Sequence, residues 1–248
     1  MGSKSRIAKY IVPIIQKYID SNNIVKYVEP FVGGANVIDK INCKERYGYD
    51  KNKYLIALLK RVQSEKQLLE SVTRELYSDV RSTHKQPTCK YEDWEVGNIG
   101  FLASYNGRWF DGGYAKSGYE KTKNGERFRD YYQEAKNNIL SQAESIKNVN
   151  FQTCDYLETI ELPYDSGMVI YCDPPYAGTK QYANATYFDY DKFWNTMREW
   201  SKYNIVLISE QNAPDDFTCI WEQEVSRSIK ATDKSKSVEK LFVHNIKL

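Results

Sequence analysis

Residues 168–172, Met-Val-Ile-Tyr-Cys, form a compact apolar run that stops at Asp173-Pro174-Pro175-Tyr176. A run this short and this apolar predicts a strand buried on both faces, the habit of parallel sheets covered by helices. Two successive prolines fix φ and remove two backbone donors, so the strand cannot be prolonged. A stiff loop must follow at its C-terminal end, with the Asp173 carboxylate and the Pro174 carbonyl as acceptors. Two neighbouring acceptors suit an exocyclic NH2 on a planar base, which donates two hydrogen bonds, and Tyr176 can stack on the ring. The plainer reading of the same residues is a rigid turn with a helix-capping aspartate.

A helix expected over 190–200 separates that strand from a second buried run at 205–209. Strands alternating with helices predict an α/β fold, Rossmann-like, whose sheet is mostly parallel with helices on both faces. The first half repeats the pattern. Ile7, Tyr10, Ile11, Ile14, Ile15, Tyr18 and Ile19 recur at helical spacing, so 7–19 is expected to be a helix ending at Asn22-Asn23. Residues 24–31 read as extended and meet Gly33-Gly34, after which a helix is expected from near Asn36. A glycine turn after a strand lets the backbone approach a ligand and aims N–H groups at its polar parts, although many ordinary turns look the same. Residues 46–49 predict a strand ending at Asp50, where a carboxylate can accept two hydrogen bonds from a ribose diol. Capping the helix expected over 52–59 is its simpler role, and the two are compatible.

Between 78 and 125 the periodicity weakens and glycines at 97, 100, 107, 112, 113, 118 and 125 interrupt the chain. The expected organisation is therefore one discontinuous main domain, 1–77 with 126–248, and a small insertion, 78–125. Helical spacing resumes over 128–146, and 150–154 is a short strand. In the tail, 225–229 and 240–245 are expected to pair as an antiparallel hairpin around a basic loop at 231–237.

A chain of 248 residues holds one substantial α/β core with room for a small insertion. With 41% hydrophobic and 27% charged residues it falls outside the disordered and membrane-embedded classes. No apolar run approaches the roughly 18 residues of a spanning helix, and no signal-type stretch opens the chain, so a cytoplasmic protein without membrane attachment is expected. Five cysteines without a CxxC pair, and only two histidines, suggest neither a disulfide framework nor a metal cluster. The net charge of +2 is unevenly spread: 1–26 carries five basic residues against one acid, and 97–129 six against three. Such patches suit phosphates, though each is equally an ordinary solvated face. The 21 tyrosines would serve base stacking, or simply a core.

Asp173-Pro174-Pro175-Tyr176, together with Glu29-Pro30-Phe31-Val32-Gly33-Gly34, resembles the Dam-like adenine-N6 branch of the amino-methylating DNA methyltransferases, in the motif order called alpha. The resemblance extends to Gly2-Ser3-Lys4, to Cys154-Asp155-Tyr156, to the run from Ser104-Tyr105-Asn106 through Gly107-Arg108-Trp109-Phe110, and to Val206-Leu207-Ile208-Ser209. It implies S-adenosylmethionine as cofactor, held by Lys4, Phe31, Gly33, Gly34, Asp50 and Asp155, and methyl transfer at Asp173, Pro174 and Tyr176 without a metal. It implies double-stranded DNA as partner, read by the 78–125 insertion and by Asn106, Arg108, Lys116 and Arg127, with Lys121, Lys123 and Arg129 as further candidates. The target base would be flipped from the duplex, with Tyr176 and Phe188 or Tyr187 against it, although Tyr187-Phe188 equally suits core packing beside a helix; a monomer or weak dimer is expected. A GATC target is implied by the family alone. Cytosine N4 is the nearest rival target, RNA a more distant one. A nucleic-acid-binding protein that kept the fold without catalysis is the alternative from another class.

Overall fold

The computed structural model describes residues 4–122, 125–175, 188–230 and 233–245. Helix α1 (Ser5–Ser21) leads into β1 (Lys26–Glu29) and β2 (Glu45–Asp50). Helices α2 (Lys53–Ser64), α3 (Arg74–Thr83) and the short α4 (Asp93–Gly97) follow, then a hairpin of β3 (Gly118–Thr122) and β4 (Gly125–Arg129). The remainder is α5 (Tyr131–Leu140), β5 (Val149–Thr153), β6 (Val169–Cys172), α6 (Tyr190–Ser201), β7 (Ile205–Glu210), β8 (Phe217–Lys230) and β9 (Asp233–His244). Among the described residues seven strands form one sheet in the order β5-β2-β1-β6-β7-β9-β8. Every pairing from β5 to β7 is parallel, and β9 and β8 close one edge antiparallel.

The expected α/β architecture is what these residues build, and the period-two alternation along the central strands shows why. On β6, Val169 and Tyr171 belong to one apolar cluster with α1 and α2, whereas Ile170 and Cys172 belong to a second with α6. A strand covered on both faces has no polar side to spare, hence the unbroken apolar run. Helix α1 buries Ile7, Ala8, Ile11, Ile15 and Ile19, each large side chain contributing about 1.5–3 kcal/mol of transfer free energy. Helix α2 is capped by Asn52, whose side chain accepts from the Tyr54 and Leu55 amides, so the capping role considered for Asp50 falls to its neighbour. Strand order reverses between β1 and β6, which places the ends of these two strands at the switch point where α/β sheets bind ligands.

Four local expectations are corrected. After Gly33-Gly34 the chain makes only a 3-10 turn, Ile38–Lys40, in place of a helix from Asn36. Gly33 and Ala35 both adopt positive φ, +50° and +57°, and a backbone that visits the left-handed region twice in three residues cannot start an α-helix there. Phe128 and Arg129 belong to β4 and not to the helix expected over 128–146; α5 starts after Asp130, whose carboxylate accepts the Gln133 amide at 3.1 Å. In the tail, residues assigned to a loop are strand: Val225 lies opposite Ser237, and Lys240 opposite Glu222. Within 78–125, α3 crosses the expected boundary. Val96, Ile99, Phe101, Leu102 and Phe110 join the same core cluster as α1. Gly97 is what lets α4 close on α2, since a Cβ there would lie 2.1 Å from the Tyr54 carbonyl oxygen.

Candidate active site

The end of β1 and the end of β6 face one another across a narrow cleft lined by Lys4, Phe31, Gly33, Gly34, Tyr171 and Asp173. Neighbouring parallel strands make this unavoidable: Tyr27 and Val28 pair with Val169 and Ile170, so the glycine turn and the Asp-Pro-Pro loop leave the sheet side by side. A Cβ built at Gly33 would meet nothing within 4 Å, but its φ of +50° reserves the position for glycine.

Asp50 lies at the end of β2 and ties this turn down. One carboxylate oxygen accepts the Gly33 amide at 3.2 Å and the other the Asn52 amide at 2.9 Å. Burial raises its carboxyl above the usual range, and the two amides pull it back. Asp155 follows β5, the next strand outward, where Thr153 pairs with Asp50. It accepts the Leu157 amide at 3.2 Å and meets Lys51 at 3.0 Å. Burial acts upward on this carboxyl too, but the amide and the lysine together hold it below the usual range. Two carboxylates thus stand at adjacent strand ends, and Asp50 is the one that holds the glycine turn.

Asp173 lies in an enclosed ion-paired cluster. The Lys4 ammonium lies 3.1 Å from its Oδ1 and 2.9 Å from Glu239 Oε2. Burial pushes the Asp173 carboxyl up to about 6, against the pull of Lys4. Burial also disfavours a charged Lys4, yet Asp173 and Glu239 outweigh it and raise the ammonium's pKa. Beneath the loop Glu29 is 2% exposed, accepts the Tyr27 hydroxyl at 2.7 Å, and has its carboxyl driven well above the usual range by burial. Pro174 is buried, and the Tyr190 hydroxyl donates to the Pro175 carbonyl at 2.7 Å, bracing the loop from α6. No local sequence pattern marks Tyr190 or Glu239; Tyr190 reaches the loop from α6, and Glu239 reaches Lys4 from β9. Tyr176 and Tyr187, with Gly2, Ser3 and Lys123, lie outside the described residues.

Phe188 packs at 6.1 Å from Phe31, 5.8 Å from Tyr156 and 5.5 Å from Phe193, making one aromatic cluster behind the glycine turn. Asn106, Arg108, Lys116 and Arg127 do not line the cleft; all four are exposed. Asn106 sits at φ 54° in a tight turn, and the ring of Tyr105 beside it lies 6.1 Å from Tyr131. Tyr131 in turn hydrogen-bonds Glu120, bringing this turn next to the β3–β4 hairpin. On that hairpin Tyr119 and Phe128 are cross-strand partners with ring centroids 5.4 Å apart, 75% and 54% exposed. Among the described residues no group of three or more His, Cys, Asp or Glu could hold a metal ion, and no helix is long and apolar enough to cross a membrane.

A glycine turn and an Asp-Pro-Pro loop at the switch point of a doubly covered parallel sheet define a methyltransferase of the S-adenosylmethionine-dependent, amino-nitrogen class. The chain belongs to the D12 class N6 adenine-specific DNA methyltransferases, whose family model matches residues 1–199. It is 27% identical to the Type II methyltransferase M.MjaIII of Methanocaldococcus jannaschii, in an alignment covering 77% of this chain and 73% of that protein. Among solved structures, the rRNA methyltransferase aviRa from Streptomyces viridochromogenes superposes over 97% of this chain and 84% of its own, at 8% identity and a TM-score of 0.42. SMU.472 complexed with SAH superposes over 97% of this chain and 54% of its own, at 10% identity and a TM-score of 0.36. Both superpositions are too loose to bear on substrate. Family membership makes the protein an enzyme that uses S-adenosylmethionine to methylate adenine N6 in DNA, which settles the base between adenine and cytosine.

Proposed function

We propose that the target is an adenine in a short double-stranded DNA sequence, turned out of the helix into the cleft beside Asp173. The observation that carries this is the placement of the glycine turn and Asp173 on adjacent strand ends, one cleft wide. An amine inside a duplex cannot enter a recess of this kind, so the base must leave the stack. In this reading the Gly33-Gly34 backbone, Phe31, Asp50 and Asp155 hold the cofactor. The open space at Gly33 and the two carboxylates at neighbouring strand ends fit an adenosine with its ribose. Bound there, S-adenosylmethionine supplies a methyl group already activated on a sulfonium.

The chain's own residues then need only to bind and orient. An ionised Asp173 and the Pro174 carbonyl accept the two N–H bonds of the adenine amine and turn its lone pair toward the methyl. Tyr190 keeps the loop in register through Pro175. Tyr176 is assigned the stacking face from sequence, and Phe188, packed on Phe31, the wall behind it. Lys4 acts on Asp173 directly. The β3–β4 hairpin and the 105–116 turn are assigned to DNA: Tyr119 and Phe128 offer exposed rings to bases, and Asn106, Arg108, Lys116 and Arg127 offer donors to base edges and phosphates.

Methylated DNA mapped by sequencing gives the target; 2-aminopurine is then placed at the modified position of a duplex. A rise in its fluorescence on binding is expected, with transfer to duplex DNA exceeding transfer to RNA of the same sequence. No fluorescence change, or equal transfer to RNA, would overturn the reading.

A further inference from the structure

Glu239 lies on β9, beyond the residues 1–199 that match the family model, yet it touches the centre of the site. Strand β9 runs antiparallel to β7 with Lys240 opposite Glu210, which carries Glu239 just past the end of β7 and beside the Asp-Pro-Pro loop. There it meets Lys4, 235 positions away in sequence, at 2.9 Å. The same ammonium reaches Asp173 at 3.1 Å, and the side chains of Lys4, Glu239 and Asp173 are only 12%, 14% and 20% exposed. An exposed lysine paired with one acid would drift among rotamers and contribute little; an enclosed ammonium between two carboxylates is fixed in place and its charge is divided.

We propose that Glu239 is a positioning residue for methyl transfer: by anchoring the Lys4 ammonium it sets how strongly Asp173 is gripped and how its carboxylate faces the cleft. The proposal rests on the reading of Asp173 as acceptor of the adenine amine. The surroundings show why division matters. Glu239 on β9 and Glu210 at the end of β7 act against ionisation of Asp173, whose own charge in turn raises Glu29 on β1 and Tyr171 and Cys172 on the preceding strand; among the described residues Lys4 is the cation acting on Asp173. With Lys4 gone, Asp173 would retain its proton near neutrality and become a donor where an acceptor is needed. With Lys4 undivided, the carboxylate would be drawn wholly to the ammonium and away from the substrate amine.

The test is a titration of the full chain labelled with carbon-13 at aspartate carboxyls, the Asp173 signal being assigned by its loss in Asp173→Asn. Glu239→Gln keeps an acceptor for Lys4 but removes the charge that opposes ionisation of Asp173. The expected result is a fall of about half a unit or more in the Asp173 midpoint, matched by an equal shift of the acidic limb of kcat. Glu239→Ala removes the anchor as well; kcat should fall about tenfold with KM for S-adenosylmethionine within about threefold, and Glu239→Asp should restore part of it. An unmoved Asp173 midpoint in Glu239→Gln would overturn the proposal, as would a folded Glu239→Ala variant with unchanged kcat. The carboxyl titration requires no turnover, so it decides the point even if the Ala variant does not fold. A chain that titrates as expected but methylates no adenine would count against the function and not against this network.

Discussion

The cleft and the β3–β4 hairpin are both rich in polar and aromatic groups, but they use them in opposite ways. In and around the cleft Asp50 and Asp155 accept backbone amides, Glu29 accepts the Tyr27 hydroxyl, and Asp173 is paired with Lys4. On the hairpin Tyr119 and Phe128 stand 75% and 54% in solvent, with Arg127 exposed beside them. Groups already held in place cost little to organise when a small ligand arrives, which is what transfer chemistry requires. Exposed rings and long cations retain their freedom until a large polyanion orders them, which suits recognition. On the proposed assignment chemistry and recognition are separable, and substitutions in one region should leave the other's ligand alone.

The largest effect is expected from Asp173→Ala. Losing the acceptor should lower turnover about a thousandfold while S-adenosylmethionine affinity, measured by calorimetry, changes only a few-fold. Asp173→Asn tests the electrostatics of the same group through stability. Its folded pKa of about 6 lies above the ordinary aspartate value, so holding the charge costs the folded state up to about 3 kcal/mol above that pH and nothing once the group is protonated in both states. The Asn variant should accordingly show a higher Tm than the parent at pH about 8 and an equal Tm at pH about 3; equal Tm at both would remove the claim that Asp173 is a costly buried charge. Asp50→Ala unpins the glycine turn, and cofactor affinity should fall about tenfold to a hundredfold with DNA affinity unchanged. The smallest effect is on the surface: Tyr119→Ala and Phe128→Ala should each weaken DNA binding by about fivefold to tenfold in fluorescence anisotropy and leave cofactor affinity intact. A parallel loss of cofactor affinity there would erase the distinction between the two regions.

What could be read from the sequence follows the same division. Asp173-Pro174-Pro175 declared itself because its constraint is local: an apolar strand, then two residues without N–H groups. The turn at Gly33-Gly34 was equally visible, but the helix expected after it was not formed, because nothing in the letters marks Ala35 as left-handed. The sequence suggests Asp50 as a ribose clamp, a helix cap or both; its hold on the Gly33 turn, through one oxygen on the Gly33 amide and the other on the Asn52 amide, has no local pattern to mark it. The hairpin at 118–129 was lost between a glycine-rich stretch and a helical one, since its identity rests on cross-strand pairs such as Tyr119 with Phe128. Tyr190 and Glu239 were invisible for a simpler reason. Their contacts with the loop and with Lys4 span 15 and 235 positions, and only the folded sheet brings them together.

The central claim is that Asp173 presents an adenine amine to a methyl donor. It is tested most directly by incubating the parent chain and Asp173→Ala with labelled S-adenosylmethionine and unmodified duplex DNA, then digesting the DNA to nucleosides for mass spectrometry. Labelled N6-methyladenine from the parent and none from the variant is the expected result. Labelled N4-methylcytosine, or the same yield of N6-methyladenine from both proteins, would contradict it.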